Sequence, residues 1–275
     1  MKAFNELKLK GLDESGIEDR EIKDKETEER EIKDKEPIVS KPKESDSPIT
    51  ADGTYSIIGQ DIIVMEGIHA TIFAHQGISN IILGKGSDVN IIMFKNPLKQ
   101  KIELKDGAKC IYVALFENDS VQEFSIRKNS DLTVSNIYNI SGKEINSKTS
   151  VYHLAPNSKS LMHSRAVISK GKLCVKGLID ISEDASGADG YQKTEVILLD
   201  QGSEAISIPE LSIKNNDVRC SHGASISSLD QDKMFYIQSR GLTSEESAKL
   251  MIEGFFADIL KKLPEDISNM IMEHI

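Results

Sequence analysis

Cys220 and His222 are the two residues whose types and spacing best support chemistry. They flank Ser221 in the run Asp217-Val218-Arg219-Cys220-Ser221-His222-Gly223-Ala224. In an extended strand, residues i and i+2 point to one face, about 6–7 Å apart along the chain. A sulfur and an imidazole nitrogen can therefore meet one point in space while Ser221 faces away. Thiolate with imidazole suits iron, zinc or copper and fits magnesium or calcium poorly. Both donors act only when deprotonated, so binding weakens in acid. Arg219 favours the thiolate only if its side chain converges on the sulfur, and strand alternation argues against that. By itself the pair is incomplete. A closed zinc site needs four ligands, and a buried Cys is commonly a small hydrophobe.

The other candidates carry less. His69 and His75 have equal parity in a β-like stretch, but Gly67 and Gly77 bracket them and suggest turns. Cys110 and Cys174 lie in apolar runs and read as packing residues, and no role is assigned to His153 or His163. The chain has no G-x-x-x-x-G-K-[ST] phosphate loop, no dinucleotide fingerprint, no G-x-S-x-G elbow and no H-E-x-x-H motif. ATP hydrolysis by this chain is thus unsupported, and flavin binding has no motif behind it. Acidic residues are scattered, which leaves a glycosidase-type carboxylate pair unsupported.

The elements that must position Cys220 and His222 are short strands. From Tyr55 to about Val218, runs such as Asp61-Ile62-Ile63-Val64-Met65, Asp88-Val89-Asn90-Ile91-Ile92-Met93 and Cys110-Ile111-Tyr112-Val113-Ala114-Leu115 recur. Gly, Asn or Asp interrupts them roughly every ten residues, a spacing that fits a sandwich or a solenoid. Periodicity alone does not choose between the two. Before this core, residues 1–50 form a tail rich in both charge signs, in which Glu21-Ile22-Lys23-Asp24-Lys25-Glu26 returns as Glu31-Ile32-Lys33-Asp34-Lys35-Glu36. Few apolar residues could dock such a tail, so a flexible or loosely helical segment is expected. After the core, residues 229–275 read as helical. Thr243 and Glu246 make a capping box, Ala248, Met251, Ile252, Phe255, Ile259 and Leu263 share one face, and Phe256 and Leu260 widen it. Pro264 should end or kink that helix.

Composition sets the outer limits. The 275 residues are 39% hydrophobic, enough for a real core, with a formal charge of −10 that argues against nucleic acid as the main partner. No apolar run reaches the length of a membrane span, and Met1-Lys2-Ala3-Phe4 does not open a signal peptide. The 3 cysteines form no disulfide framework. A reduced cytoplasmic protein is expected.

The Cys-Ser-His-Gly-Ala core, followed by Leu229-Asp230 and Phe235-Tyr236-Ile237-Gln238-Ser239-Arg240-Gly241-Leu242, resembles the C-terminal signature of the SufB/SufD family of the SUF iron–sulfur cluster assembly system. The likeness extends through Gly177-Leu178-Ile179, Tyr191-Gln192, Leu198-Leu199-Asp200 and Ile208-Pro209-Glu210-Leu211, covering about residues 164–260. It implies a mainly β protein: a right-handed parallel β-helix over 51–228 with a C-terminal helical region. It also implies a non-enzymatic scaffold that pairs with a SufB-like chain or a copy of itself, receives sulfur indirectly and holds a transient iron–sulfur cluster. Cys220 and His222 would be the cluster ligands. The helical region would dock the ABC-type ATPase SufC through Phe235, Tyr236, Arg240, Met251, Phe255 and Phe256. Thr194 stands where the SufB branch carries a sulfur-accepting cysteine, and Gly223 replaces that branch's carboxylate, so the resemblance is to SufD. An N-terminal helical domain of the family is expected to be trimmed or replaced by the charged tail. A solenoid enzyme acting on polysaccharide is the alternative, weakened by zero Trp. A purely structural interaction protein, with Cys220 and His222 merely packed, is another.

Overall fold

The computed structural model describes residues 48–75, 77–94, 97–261 and 263–273, so the charged tail up to residue 47 lies outside the described residues. Strands of alternate parity fall into two parallel sheets. The 8-stranded sheet runs β1 (Gly53–Ile57), β3 (His69–Ala74), β5 (Asp88–Met93), β7 (Lys109–Phe116), β9 (Asp131–Ser141), β11 (Lys159–Ser169), β13 (Asp189–Leu198) and β15 (Arg219–Ser228) in spatial order. The 7-stranded sheet runs β2 (Ile62–Val64), β4 (Asn80–Leu83), β6 (Lys99–Leu104), β8 (Ser120–Ile126), β10 (Glu144–His153), β12 (Lys172–Ile181) and β14 (Glu204–Ile213). Successive strands change sheet, so the backbone winds as a parallel β-helix. The expected solenoid is what forms.

One corner of each coil needs a left-handed residue. Gly67, Gly86 and Gly107 have φ of 72°, 65° and 69°, and Asn129, Asn157 and Gly187 continue the column at 55°, 57° and 72°. Only Gly pays no Cβ penalty there, and Asn is among the few other residues that tolerate it. Each donates its amide to the next coil, as Gly86 does to the Asp106 carbonyl and Asn157 to that of Ser186.

The coils widen along the axis. Register partners are 19 residues apart where His69 meets Asp88 and 30 apart where Asp189 meets Arg219. Strands lengthen in step, from 5 and 3 residues in β1 and β2 to 10 each in β14 and β15.

Inward side chains stack in columns. Val64, Leu83, Leu104 and Ile126 are successive register partners, and His153 and Ile181 continue their column. His153 is fully buried, with Nδ1 and Nε2 each 2.8 Å from a hydroxyl, Ser158 and Ser160. Burial holds its imidazole neutral and lowers its pKa from 6.5 to about 4, against weaker opposition from Ser158, Asp189 and Asp180. The unfolded chain then takes up the proton first. Stability is complete above 6.5 and declines as pH falls toward 4, by about 3 kcal/mol in all. Urea titrations between pH 7 and pH 4 should show this acid limb, and His153→Gln should flatten it. An equally steep limb in the variant refutes the assignment.

Among the described residues, three helices follow the last strand: α1 (Gln231–Gln238), α2 (Ser244–Leu260) and α3 (Glu265–Met272). The Asp230 carboxylate caps α1 by accepting from the Asp232 and Lys233 amides. The capping box read from Thr243 and Glu246 is present at the start of α2. Pro264 does stop that helix, but it also caps a further short one, α3, which the sequence reading did not separate. The helices cover the outer face of the 8-stranded sheet. There Ile92, Val113, Leu115, Ile137 and Val167 pack against Phe256, Ile259, Leu260, Leu263, Ile267 and Ile271. This second core explains why β9 is buried on both faces instead of alternating.

Candidate functional site

Cys220 and His222 lie on β15, the last strand of its sheet, whose outer edge has no neighbour among the described residues. Cys220 pairs with Gly190 and His222 with Gln192 on β13. Cys220 is half-buried and packs against the lumen core, and His222 is exposed. Two residues apart on one strand, both face the lumen side of the open end. Burial, with Asp189 nearby, pushes the Cys220 thiol pKa up. Arg219 belongs to the opposite face, so it gives the Cys220 thiolate no help. Among the described residues, no three His, Cys, Asp or Glu side chains gather into a metal site. This edge therefore carries one thiol and one imidazole, too few to close a metal site by themselves.

The layer beneath is built around Gln192, which is buried and donates from Nε2 to the Glu210 carbonyl of β14 at 3.1 Å. Gly177 makes room for it: a Cβ at that position would sit 2.1 Å from Gln192 Oε1. Gln192 thus ties β13 to β14 directly below His222. Thr194 follows on the same lumen face, between Ser164 and Ala224. Around the open end, Ile206, Ile213, Ile226, Leu199 and Tyr191 are exposed apolar or aromatic side chains. Ile213 and Ile226 share the lumen-side parity of their strands, whereas Tyr191 and Ile206 lie on the outer faces of the two sheets.

The other candidate contacts divide between inside and outside. Phe235 is 74% and Tyr236 59% exposed on α1, and Arg240 lies over the Tyr236 ring at 5.1 Å and donates to its hydroxyl. Met251 and Phe255 line a groove of about 570 Å³ between α1, α2 and the outer faces of β13 and β15. Phe256 is fully buried in the second core, so it holds α2 to the sheet and is not available to a partner. Leu250, which the sequence reading did not single out, is 49% exposed on α2.

His69 and His75 are not brought together. His69 lies beside Asp52, whereas His75 contacts the Ser56 hydroxyl and stacks on Phe94. His163, assigned no role from sequence, belongs to a charged hub. Glu195 Oε2 accepts from His163 Nε2 at 2.7 Å and from Arg165 Nε at 2.9 Å, and Lys193 Nζ lies 2.7 Å from Oε1. Arg165 also reaches Asp258 Oδ2 at 2.7 Å and the Phe255 carbonyl, with its guanidinium 4.9 Å above the Phe255 ring. Burial would raise the Glu195 pKa, but bonds from Lys193, His163 and Arg165 outweigh it and lower the pKa to about 2. Burial lowers that of His163, and Glu195 only partly opposes this. The available signal was charge at i and i+2 on two β stretches, His163 with Arg165 and Lys193 with Glu195.

Comparison with known proteins agrees with this picture. Residues 59–255 match the model of the SUF system FeS cluster assembly SufBD core domain. The iron–sulfur cluster assembly protein SufD of Escherichia coli is 32% identical over 110 residues, 40% of this chain and 26% of that protein. SufB of Bacillus subtilis is 28% identical over 124 residues, 45% of this chain and 27% of that protein. An iron–sulfur cluster assembly SufBD family protein of Mycobacterium bovis is 34% identical over 113 residues, 41% of this chain and 13% of that protein. The aligned stretches thus span about a quarter or less of these relatives. No helix of the described residues is long and apolar enough to cross a membrane. A model that matches most of the chain, laid over two parallel sheets that end in Cys-Ser-His-Gly-Ala, settles the kinship: this chain belongs to the SufBD family of iron–sulfur cluster assembly.

Proposed function

We propose that this chain is a SufD-like, non-enzymatic scaffold subunit of a cytoplasmic iron–sulfur assembly complex. It pairs at the open end of its β-helix with a SufB-like chain or a second copy of itself. Its exposed helical surface docks a SufC-like ABC ATPase. Iron and sulfide are its cargo, held transiently at the seam between the two scaffolds. The observation that carries the reading is the location of Cys220 and His222: two soft-to-borderline donors on an unpaired edge, too few to close a site alone. Thr194 supports the SufD-like assignment, because a hydroxyl cannot carry a persulfide; sulfur therefore reaches the seam through the partner. The edge strands support it too. Pro209 leaves β14 without one N–H donor, whereas β15 offers 10 residues without proline. A partner strand is better received on β15, beside the two donors.

Co-purification tests the proposal. Tagged chain should recover an ABC-type ATPase together with a SufB-like chain or untagged self. Phe235→Asp combined with Tyr236→Ala should lose the ATPase and keep the scaffold pair. Both side chains are exposed, so the fold should tolerate the change. Truncation after Arg240 is a poorer probe, since it would bare Ile92, Val113, Leu115, Ile137 and Val167. Full ATPase recovery by the double variant removes the docking assignment.

A further inference from the structure

We propose that Arg165 is a positioning residue that couples the helical arm to the strand carrying Cys220 and His222. The proposal rests on the functional reading above only insofar as a partner docks on that arm. Its fully buried apolar seat lies under β5, β7, β9 and β11, through Ile92, Val113, Leu115, Ile137 and Val167, with Ile197 of β13 packed at its margin. Toward the open end the arm stands off, and the groove of about 570 Å³, lined by Ser225, Ser227, Met251 and Gly254, separates α2 from β15. Polar contact across this region is concentrated at Arg165. Its side chain is 7% exposed; Nη1 donates to the Phe255 carbonyl on α2, Nε to Glu195 on β13, and Nη2 bridges Asp258 on α2 and Glu195.

β13 touches both edge strands, although β14 is paired along its length with β12. It pairs with β15 over 10 positions, Asp189–Leu198 against Arg219–Ser228, including Gln192 with His222. Gln192 also holds β14 through the Glu210 carbonyl. A tilt of α2 about its apolar seat is therefore delivered by the guanidinium to Glu195. From there it passes along one rigid strand to the edge where the cargo ligands stand. A planar group with several fixed donors suits this task, because it can bond two carboxylates and a carbonyl at once. An ammonium group in its place could not hold all three in a fixed geometry.

Hydrogen exchange on the full chain tests the coupling. Arg165→Met should accelerate amide exchange tenfold or more across residues 219–228 as well as in α2, with β5 and β7 unchanged. Asp258→Ala removes the helix-side carboxylate of the link at a half-exposed position and leaves the Phe255 carbonyl, so it guards against a folding defect in the first variant and should reproduce part of the effect at 219–228. Arg165→Lys should restore α2 more fully than it restores β15. Acceleration confined to α2 and β11 would overturn the proposal and leave Arg165 a plain anchor. With a docked ATPase, adding a non-hydrolysable ATP analogue should change exchange at 219–228 in the wild type and not in Arg165→Met, while docking affinity is equal. Failure of any ATPase to bind refutes the functional reading and leaves the exchange result on the isolated chain to decide the coupling.

Discussion

Replacing Phe256 with alanine should destabilise the protein by about 3–5 kcal/mol, the usual cost of emptying a large aromatic site that cannot collapse. The ring is fully buried, between one helix face and the aliphatic outer surface of the 8-stranded sheet. Neither side can close the gap easily, because β-strands in a continuous ladder do not shift individually. The damage should be uneven. The helices should separate from the sheet before the lumen core opens, since the two cores are built from different side chains. Urea denaturation followed by circular dichroism checks the magnitude. Phe235→Ala is the internal control: at 74% exposure it should change stability by less than about 0.5 kcal/mol. Equal costs at the two positions would contradict the division into an inward and an outward aromatic.

The second large effect concerns function. His222→Ala should leave folding unchanged within about 0.5 kcal/mol, as expected of an exposed edge residue. Cluster formation by the assembled complex should fall at least 10- to 100-fold, a loss seen even for residues that only support metal ligands. The reason is arithmetic in donors. The edge brings two, and removing one leaves a thiol whose proton is already held by burial and by Asp189. Cluster content of a reporter protein matured by the reconstituted complex is the readout. Undiminished maturation with His222→Ala would eliminate the imidazole as a ligand and favour a packing role for this strand.

How much of this was readable beforehand depends on the range of the interaction. The capping box at Thr243 is a contact between residues 3 apart, and it was legible. So were the strand breaks at Gly67, Gly86 and Gly107, because a backbone that must turn left-handed names its own residue. The common face of Cys220 and His222 followed from strand geometry, but their place on the final, unpaired strand did not. Nothing local distinguishes an edge strand from a central one. The stripe on α2 was legible as a stripe, yet a helix shows its apolar side without saying which flank meets its own sheet. That is why Phe256 was assigned to a partner. The Arg165 hub was invisible for a plainer reason. Its members are separated by 30 residues to Glu195 and 93 to Asp258, and outward charges on strands ordinarily mean water.

The flare of the coils has a consequence for stoichiometry. Edges of 10 residues at the wide mouth expose long rows of unsatisfied amides and carbonyls, whereas the narrow end presents strands of 5 and 3 residues. In the proposed pair, a partner strand added at the wide mouth would consume the long free edges and leave, among the described residues, only the short ones. Under the proposed pairing, the taper would favour a head-to-head couple over a continuing stack of coils.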